Sequence, residues 1–147
     1  MAGWMNLGQN LKINAKKFPD TVMLKDSRRS FTYPQANRRV NQLAHSLLAL
    51  GLSKGDKVAV LLENSIEIVE IFLATAKTGI IIVPINFRLV GAEVEFIVNN
   101  SDAKAMIVHD EFTSTVDPIK AGLKNVSPQN YIAVDPDVPL PDPLREA

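Results

Sequence analysis

The sequence predicts an α/β protein: a parallel sheet with helices on both faces, preceded by an N-terminal helix and a β-hairpin. Three observations carry this. Helix-like and strand-like segments alternate with short connections from about residue 33 to residue 135, the pattern of crossover connections between parallel strands. The strand-like runs "VAVLLE", "GIIIV", "AKAMIV" and "NYIAVD" are almost wholly apolar rather than alternating, as befits strands covered on both faces. The segments between them space their apolar residues at helical intervals.

Taken in order, Leu7, Leu11, Ala15 and Phe18 recur near helical spacing before Pro19, with Ile13 less well placed, so a short amphipathic helix opens the chain. "TVMLKD" and "SFTY" flank the polar "SRR" and predict a hairpin. Thr32 and Gln35 form a Thr-x-x-Gln capping box, with Pro34 in the first turn, where a missing N–H costs little. The helix they start places Ala36, Val40, Leu43, Ala44, Leu47 and Leu48 on one face and Arg38, Arg39, Asn41 and Gln42 on the other, and Gly51 ends it.

After the "GLSKGDK" turn comes the strand "VAVLLE". Asn64 is the expected cap of the next helix, with Glu67 at its third position, and "SIEIVEIFLATAKT" is apolar nearly all round, predicting a helix buried against the sheet. Gly79 closes it in a left-handed conformation. "GIIIV" then begins a second central strand, "VGAEVEFIVNN" a helix with Val94, Ile97 and Val98 inward, and "AKAMIV" a third strand. "TSTVDPIKAGLKN" reads as a weaker helix interrupted at Pro118, and "NYIAVD" as the fourth strand. Residues 1–135 form the expected folded unit. Residues 136–147, dense in proline, read as an extended tail or linker.

At 147 residues the chain is long enough for one well-buried domain. Its 16 Lys+Arg balance 16 Asp+Glu, leaving no net field to attract nucleic acid. The absence of cysteine excludes disulfides, thiolate catalysis and Cys-ligated zinc, and fits a cytoplasmic protein. The longest apolar run is far shorter than the roughly 20 residues a membrane helix requires.

No catalytic residue and no metal site emerges from the motifs. The glycines are too far apart for G-x-G-x-x-G, and none precedes Lys-Ser/Thr at P-loop spacing, so the cofactor-binding residues are unknown. There is no G-x-S-x-G elbow, and Ser101-Asp102 reads as turn chemistry. The acidic pairs Glu67/Glu70 and Glu93/Glu95 read as solvated helix faces. His45 borders the apolar face of its helix and reads as a surface residue. His109 follows the third strand directly, which puts it at the carboxyl edge where open α/β sheets bind ligands; a plain loop histidine is the alternative.

"VPIN", residues 83–86, supplies the other candidates. Proline is excluded from the middle of a buried strand but tolerated where ladder pairing ends. Pro84 therefore marks the carboxyl edge and throws "INFRL" outward, delivering Asn86 and Arg88 to the crevice. The competing reading has Asn86 bonding the turn backbone and Arg88 in a surface ion pair.

The Thr-Tyr cap before an amphipathic helix, "LGLSKGDKVAVLLEN", the helix containing "LATAKTG", "PINFRL" and "DAKAMIV" occur in an order and spacing that resemble the N-terminal region of AMP-forming acyl-CoA synthetases, over residues 6 to about 110. Gln35 stands where that superfamily often has Glu, and Glu63 where it has Pro. The resemblance implies that the chain is part of a larger multi-subdomain fold. The parent would use ATP and magnesium to convert a carboxylic acid, in all expectation a fatty acid, into an acyl-adenylate that coenzyme A captures as a thioester. The Ser/Thr/Gly-rich phosphate loop ending in Pro-Lys-Gly, the aromatic-x-x-Thr-Glu motif and the other catalytic pieces of the superfamily are missing here. No cofactor is thus expected on this chain alone, and its partner would be the remainder of the synthetase, with Asn86, Arg88 and His109 as substrate-side candidates. A self-standing interaction module that associates with itself through exposed apolar surface is the alternative function.

Overall fold

The first two helices each begin with a reciprocal pair of side-chain caps. In the computed structural model, which describes residues 6–135, Asn6 caps α1 (Leu7–Lys17): its side chain accepts from the Gln9 N–H, while Gln9 accepts from the Asn6 N–H. Thr32 and Gln35 do the same for α2 (Tyr33–Ala49), as the sequence predicts. Between them β1 (Val22–Lys25) and β2 (Ser30–Thr32) pair antiparallel as the expected hairpin. The proline-rich residues 136–147 and residues 1–5 lie outside the described residues.

The rest is built on β3 (Lys57–Leu61), α3 (Ile66–Thr78), β4 (Ile81–Pro84), α4 (Gly91–Asn100), β5 (Ala105–His109), the short α5 (Thr113–Val116) and β6 (Tyr131–Val134). All four strands are parallel, in the order β4-β3-β5-β6. Alternate residues of β3 feed two different cores. Val58 and Val60 join Leu11, Val40, Leu47 and Ile71 on the face covered by α1, α2 and α3. Ala59 and Leu61 join Val94, Val98, Met106 and Val116 on the face covered by α4 and α5. Helices on both faces of a parallel sheet are thus observed as predicted.

Several local expectations are corrected. The helix α3 is capped by Ser65, whose hydroxyl accepts from the Ile68 N–H, one residue later than the expected Asn64. Its outer face is open: Val69 and Phe72 are exposed, so an all-round apolar sequence here does not mean all-round burial. Leu48 in α2 and Leu7 and Phe18 at the ends of α1 are exposed too, leaving Gly8 and Leu11 as the buried residues of α1. The weak helix after β5 is one α-helical turn that tightens into 3-10 structure at Asp117–Gly122, around Pro118.

β4 is an edge strand rather than a central one. It pairs with β3 alone, and Ile81 keeps 47% of its surface. The Ile81 N–H donates to the Asp56 carbonyl and the Ile85 N–H to the Val60 carbonyl, so the odd-numbered residues of this strand face β3. Pro84, of the opposite parity, turns its ring nitrogen to the open side. The proline therefore sits in register with Val60 without breaking the ladder. It also removes a donor from an edge that could otherwise recruit another strand.

Candidate site at the carboxyl edge of the sheet

From β3 the chain first moves outward to β4 and then returns to β5 on the other side, so the order reverses between β3 and β5. Open α/β sheets hold their ligands in the crevice outside the carboxyl ends of the strands at such a reversal. His109, the last residue of β5, lies there and is 3% exposed, which settles it as a buried strand residue and not a loop histidine. Its Nδ1 accepts a 3.1 Å hydrogen bond from the backbone N–H of Glu63, in the loop after β3. The neutral ring then carries its proton on Nε2, a buried atom with no partner. Glu111 approaches the same ring, with Oε1 3.6 Å from Nδ1.

A row of aromatic contacts links His109 to the segment after β4. The Phe112 ring is centred 6.3 Å from the imidazole, Phe87 stacks on Phe112 at 5.7 Å, and the Arg88 guanidinium lies 5.8 Å from the Phe87 ring centre. Asn86 is exposed and its Oδ1 accepts from the Arg88 N–H at 3.0 Å, the backbone-mimicking turn of the competing reading. The structure thus connects Arg88 and His109 through Phe87 and Phe112, and uses the Asn86 oxygen to shape the turn. Sequence reading passed over both phenylalanines. The available signal was their placement, each three residues beyond the end of a parallel strand.

The acidic pair on α3 was misread as solvated. Glu70 is 5% exposed and gripped by the Arg39 guanidinium through Nε and Nη2, while the same arginine stacks on Phe31 at 4.5 Å. Glu67 is held by Arg29, which also bonds Asp26. Burial is the largest single influence on the Glu67 carboxyl and would raise it. The Arg29 bond and charge, the Glu67 backbone N–H and the Ser65 hydroxyl together outweigh burial, and the group titrates below its ordinary range. Asp26 is lowered to about 2, first by the Arg28 N–H and then by Arg29. Arg39, Glu70 and Glu67 border a cavity of about 260 Å³ that Ile107, Ile132 and Val134 also line. With each carboxylate bound to an arginine, neither is free to act as a base.

Among the described residues no cluster of three or more His, Asp or Glu side chains could hold a metal ion, and no helix is long and apolar enough to cross a membrane. The carboxyl edge offers one buried imidazole N–H, and the sequence supplies no glycine-rich loop to cradle phosphates there. It does not fit a nucleoside triphosphate with its magnesium.

A parallel sheet with a strand-order reversal, entered through a helix and a hairpin, defines an α/β domain of the doubly wound class. The chain belongs to the family of AMP-binding enzymes, which it matches over residues 11–146. It is 36% identical over 115 residues to the fatty acid–[acyl-carrier-protein] ligase ScoC of Streptomyces coeruleorubidus, covering 78% of this chain and 22% of that protein. It is 43% identical over 90 residues to the long-chain-fatty-acid–CoA ligase FadD13 of Mycobacterium tuberculosis, covering 61% of this chain and 18% of that one. Among solved structures, the inhibitor-bound N-terminal domain of FACL13 from Mycobacterium tuberculosis superimposes with a TM-score of 0.84 at 33% identity, over 97% of this chain and 35% of that one. The chain spans about a fifth of the length of these two curated relatives.

Proposed function

We propose that this chain is the N-terminal part of an ATP-dependent fatty acid–CoA ligase. In the intact enzyme a fatty carboxylate would attack ATP to give an acyl-adenylate and pyrophosphate, and the thiol of coenzyme A would then displace AMP. The observation that carries this reading is the family match across residues 11–146, joined to relatives that are fatty acid ligases. The sequence lacks the glycine-rich loop that would preorganise donors around phosphate charge, so the chain by itself would be a scaffold without adenylating activity. ATP, magnesium and coenzyme A then belong to the parent, whose remainder is the chain's partner, and the cytoplasm is its expected compartment.

Within the parent, Asn86, Arg88 and His109 would face the acyl side. The Phe87–Phe112 stack supports this by giving the edge an apolar wall beside an imidazole donor. The test is thioester formation from a fatty acid, ATP, Mg²⁺ and coenzyme A. The parent should turn over and the 147-residue chain should not; activity in the chain alone, or its absence from the parent, overturns the reading. Normal acyl transfer by an Asn86→Ala, Arg88→Ala parent removes the substrate-side role of those two residues.

The exposed Leu7, Val90 and Phe96 also support the alternative of a self-standing interaction module. That alternative requires a defined oligomer whose mass rises with concentration, which sedimentation measures directly.

A further inference from the structure

At the opposite end of the molecule from His109, three helices border an open pocket whose uncommitted hydrogen-bonding groups are mostly donors. The helix α3 runs from the carboxyl edge of β3 to the start of β4, so Lys77 in its last turn stands at the amino edge of the sheet. There α1 approaches so closely that a Cβ at Gly8 would lie 2.3 Å from Lys77 Cγ and 3.0 Å from its backbone. Beside this contact opens a cavity of about 320 Å³ lined by Asn6, Gln9, Lys12, Asn37, Asn41 and Lys77, with Gly8 at its wall.

The side-chain oxygens of all four amides are already engaged. Lys77 Nζ donates to Asn37 Oδ1 at 2.6 Å and to Asn41 Oδ1 at 2.7 Å. Asn6 Oδ1 and Gln9 Oε1 accept from each other's backbone N–H in the α1 cap. What remains is the NH₂ group of each amide, the third proton of Lys77 and the ammonium of Lys12. No carboxylate lines the pocket to balance the two lysines. Burial, and then the charge of Lys12, hold the Lys77 ammonium below its ordinary pKa. Two lysines without a carboxylate disfavour a cation here, and the amide and ammonium donors disfavour an apolar molecule.

We propose that this pocket binds a small phosphate-bearing anion, whose terminal oxygens accept from the amide NH₂ groups and whose charge is shared between Lys12 and Lys77. A phosphoryl group suits the lining better than a carboxylate, because it brings more acceptor oxygens and a charge nearer to that of two lysines. The site lies at the edge of the sheet opposite the carboxyl crevice and stands independently of the proposed ligase function.

The test titrates inorganic pyrophosphate into the full 147-residue chain at constant ionic strength, followed by amide chemical shifts and by thermal unfolding. Saturable shifts confined to residues 6–12, 37–41 and 77, with a rising Tm, are expected. Lys12→Gln, at an exposed position that leaves the fold intact, should weaken binding at least tenfold, whereas Lys16→Gln in the same helix should not. A parallel titration with glycerophosphocholine identifies the source: tighter binding of this phosphodiester headgroup fragment points to lipid, tighter binding of pyrophosphate to a soluble ligand. Shifts that never saturate, or equal losses in the Lys12 and Lys16 variants, reduce the effect to charge screening and overturn the site.

Discussion

The backbone N–H of Glu63 donates to Nδ1 of His109 across 3.1 Å, tying the loop after β3 to the end of β5 at the point where the strand order reverses. This bond spans the crevice that a doubly wound sheet reserves for its ligand. It holds the neutral imidazole in one tautomer, with the proton on Nε2. His109→Leu deletes the acceptor and leaves a partly buried N–H unpaired, a loss of about 1–3 kcal/mol in urea unfolding. His109→Asn, which can present an oxygen near the same place, should lose less. Equal stability of the leucine variant and the wild type would show that the tie contributes nothing.

Arg39 and Glu70 form the most deeply enclosed ion pair among the described residues. Removing one partner leaves a charge without compensation, at a cost of about 3–5 kcal/mol. Arg39→Met and Glu70→Leu should each be strongly destabilising, and the double variant should recover much of the loss because its neighbours are apolar. A double-mutant cycle in chemical denaturation measures this; strict additivity would show that the pair is not coupled.

Glu67 gives the protein a predictable acid limb. Its folded pKa lies below the ordinary value of 4.5, because the opposing effect of burial is exceeded by the Arg29 bond and charge together with hydrogen bonds from its own backbone N–H and Ser65. A group depressed on folding stabilises fully above its unfolded pKa, and that stabilisation drains away as pH falls through the folded value. Urea midpoints should therefore fall on acidification below about pH 5, and less steeply in Glu67→Gln. Arg29→Gln should flatten the limb further, since Asp26 loses the same partner.

Gly79 closes α3 at φ 77°, and a Cβ there would meet Lys54 Cγ at 2.8 Å. Gly79→Ala combines a left-handed backbone with a crowded neighbour and should cost about 1–2 kcal/mol. Gly51→Ala, also at positive φ but with open space around it, should carry the conformational part alone. The difference between their thermal midpoints isolates the Lys54 contact.

The elements that could be read from the sequence share one property: their determinants lie within a few residues of each other. Thr32 and Gln35 are three apart and form their cap whatever else the chain does. The candidate site was legible only in outline. His109 could be assigned to a strand end because it follows an apolar run directly, and Arg88 because Pro84 marks where its strand leaves the sheet. Their connection could not, since it passes through Phe87 and Phe112, which carry no motif and meet only once β4 and β5 are positioned.

By itself the sequence determined the capped start of α2, the left-handed stop at Gly79, the parallel character of the strands and the missing phosphate loop, because local hydrogen bonding, residue stereochemistry and apolar runs decide these. Tertiary structure alone decided the order of the strands. "VAVLL" and "IIIVP" are equally apolar, yet the first is central and the second half-exposed at the edge, since apolarity says that a strand is covered without saying by what. The same holds for Glu67 and Glu70. They look like any solvated acidic pair until Arg29 and Arg39, 38 and 31 residues away in the chain, are folded against them. A side chain's charge is local, but its solvation belongs to whatever the fold brings beside it.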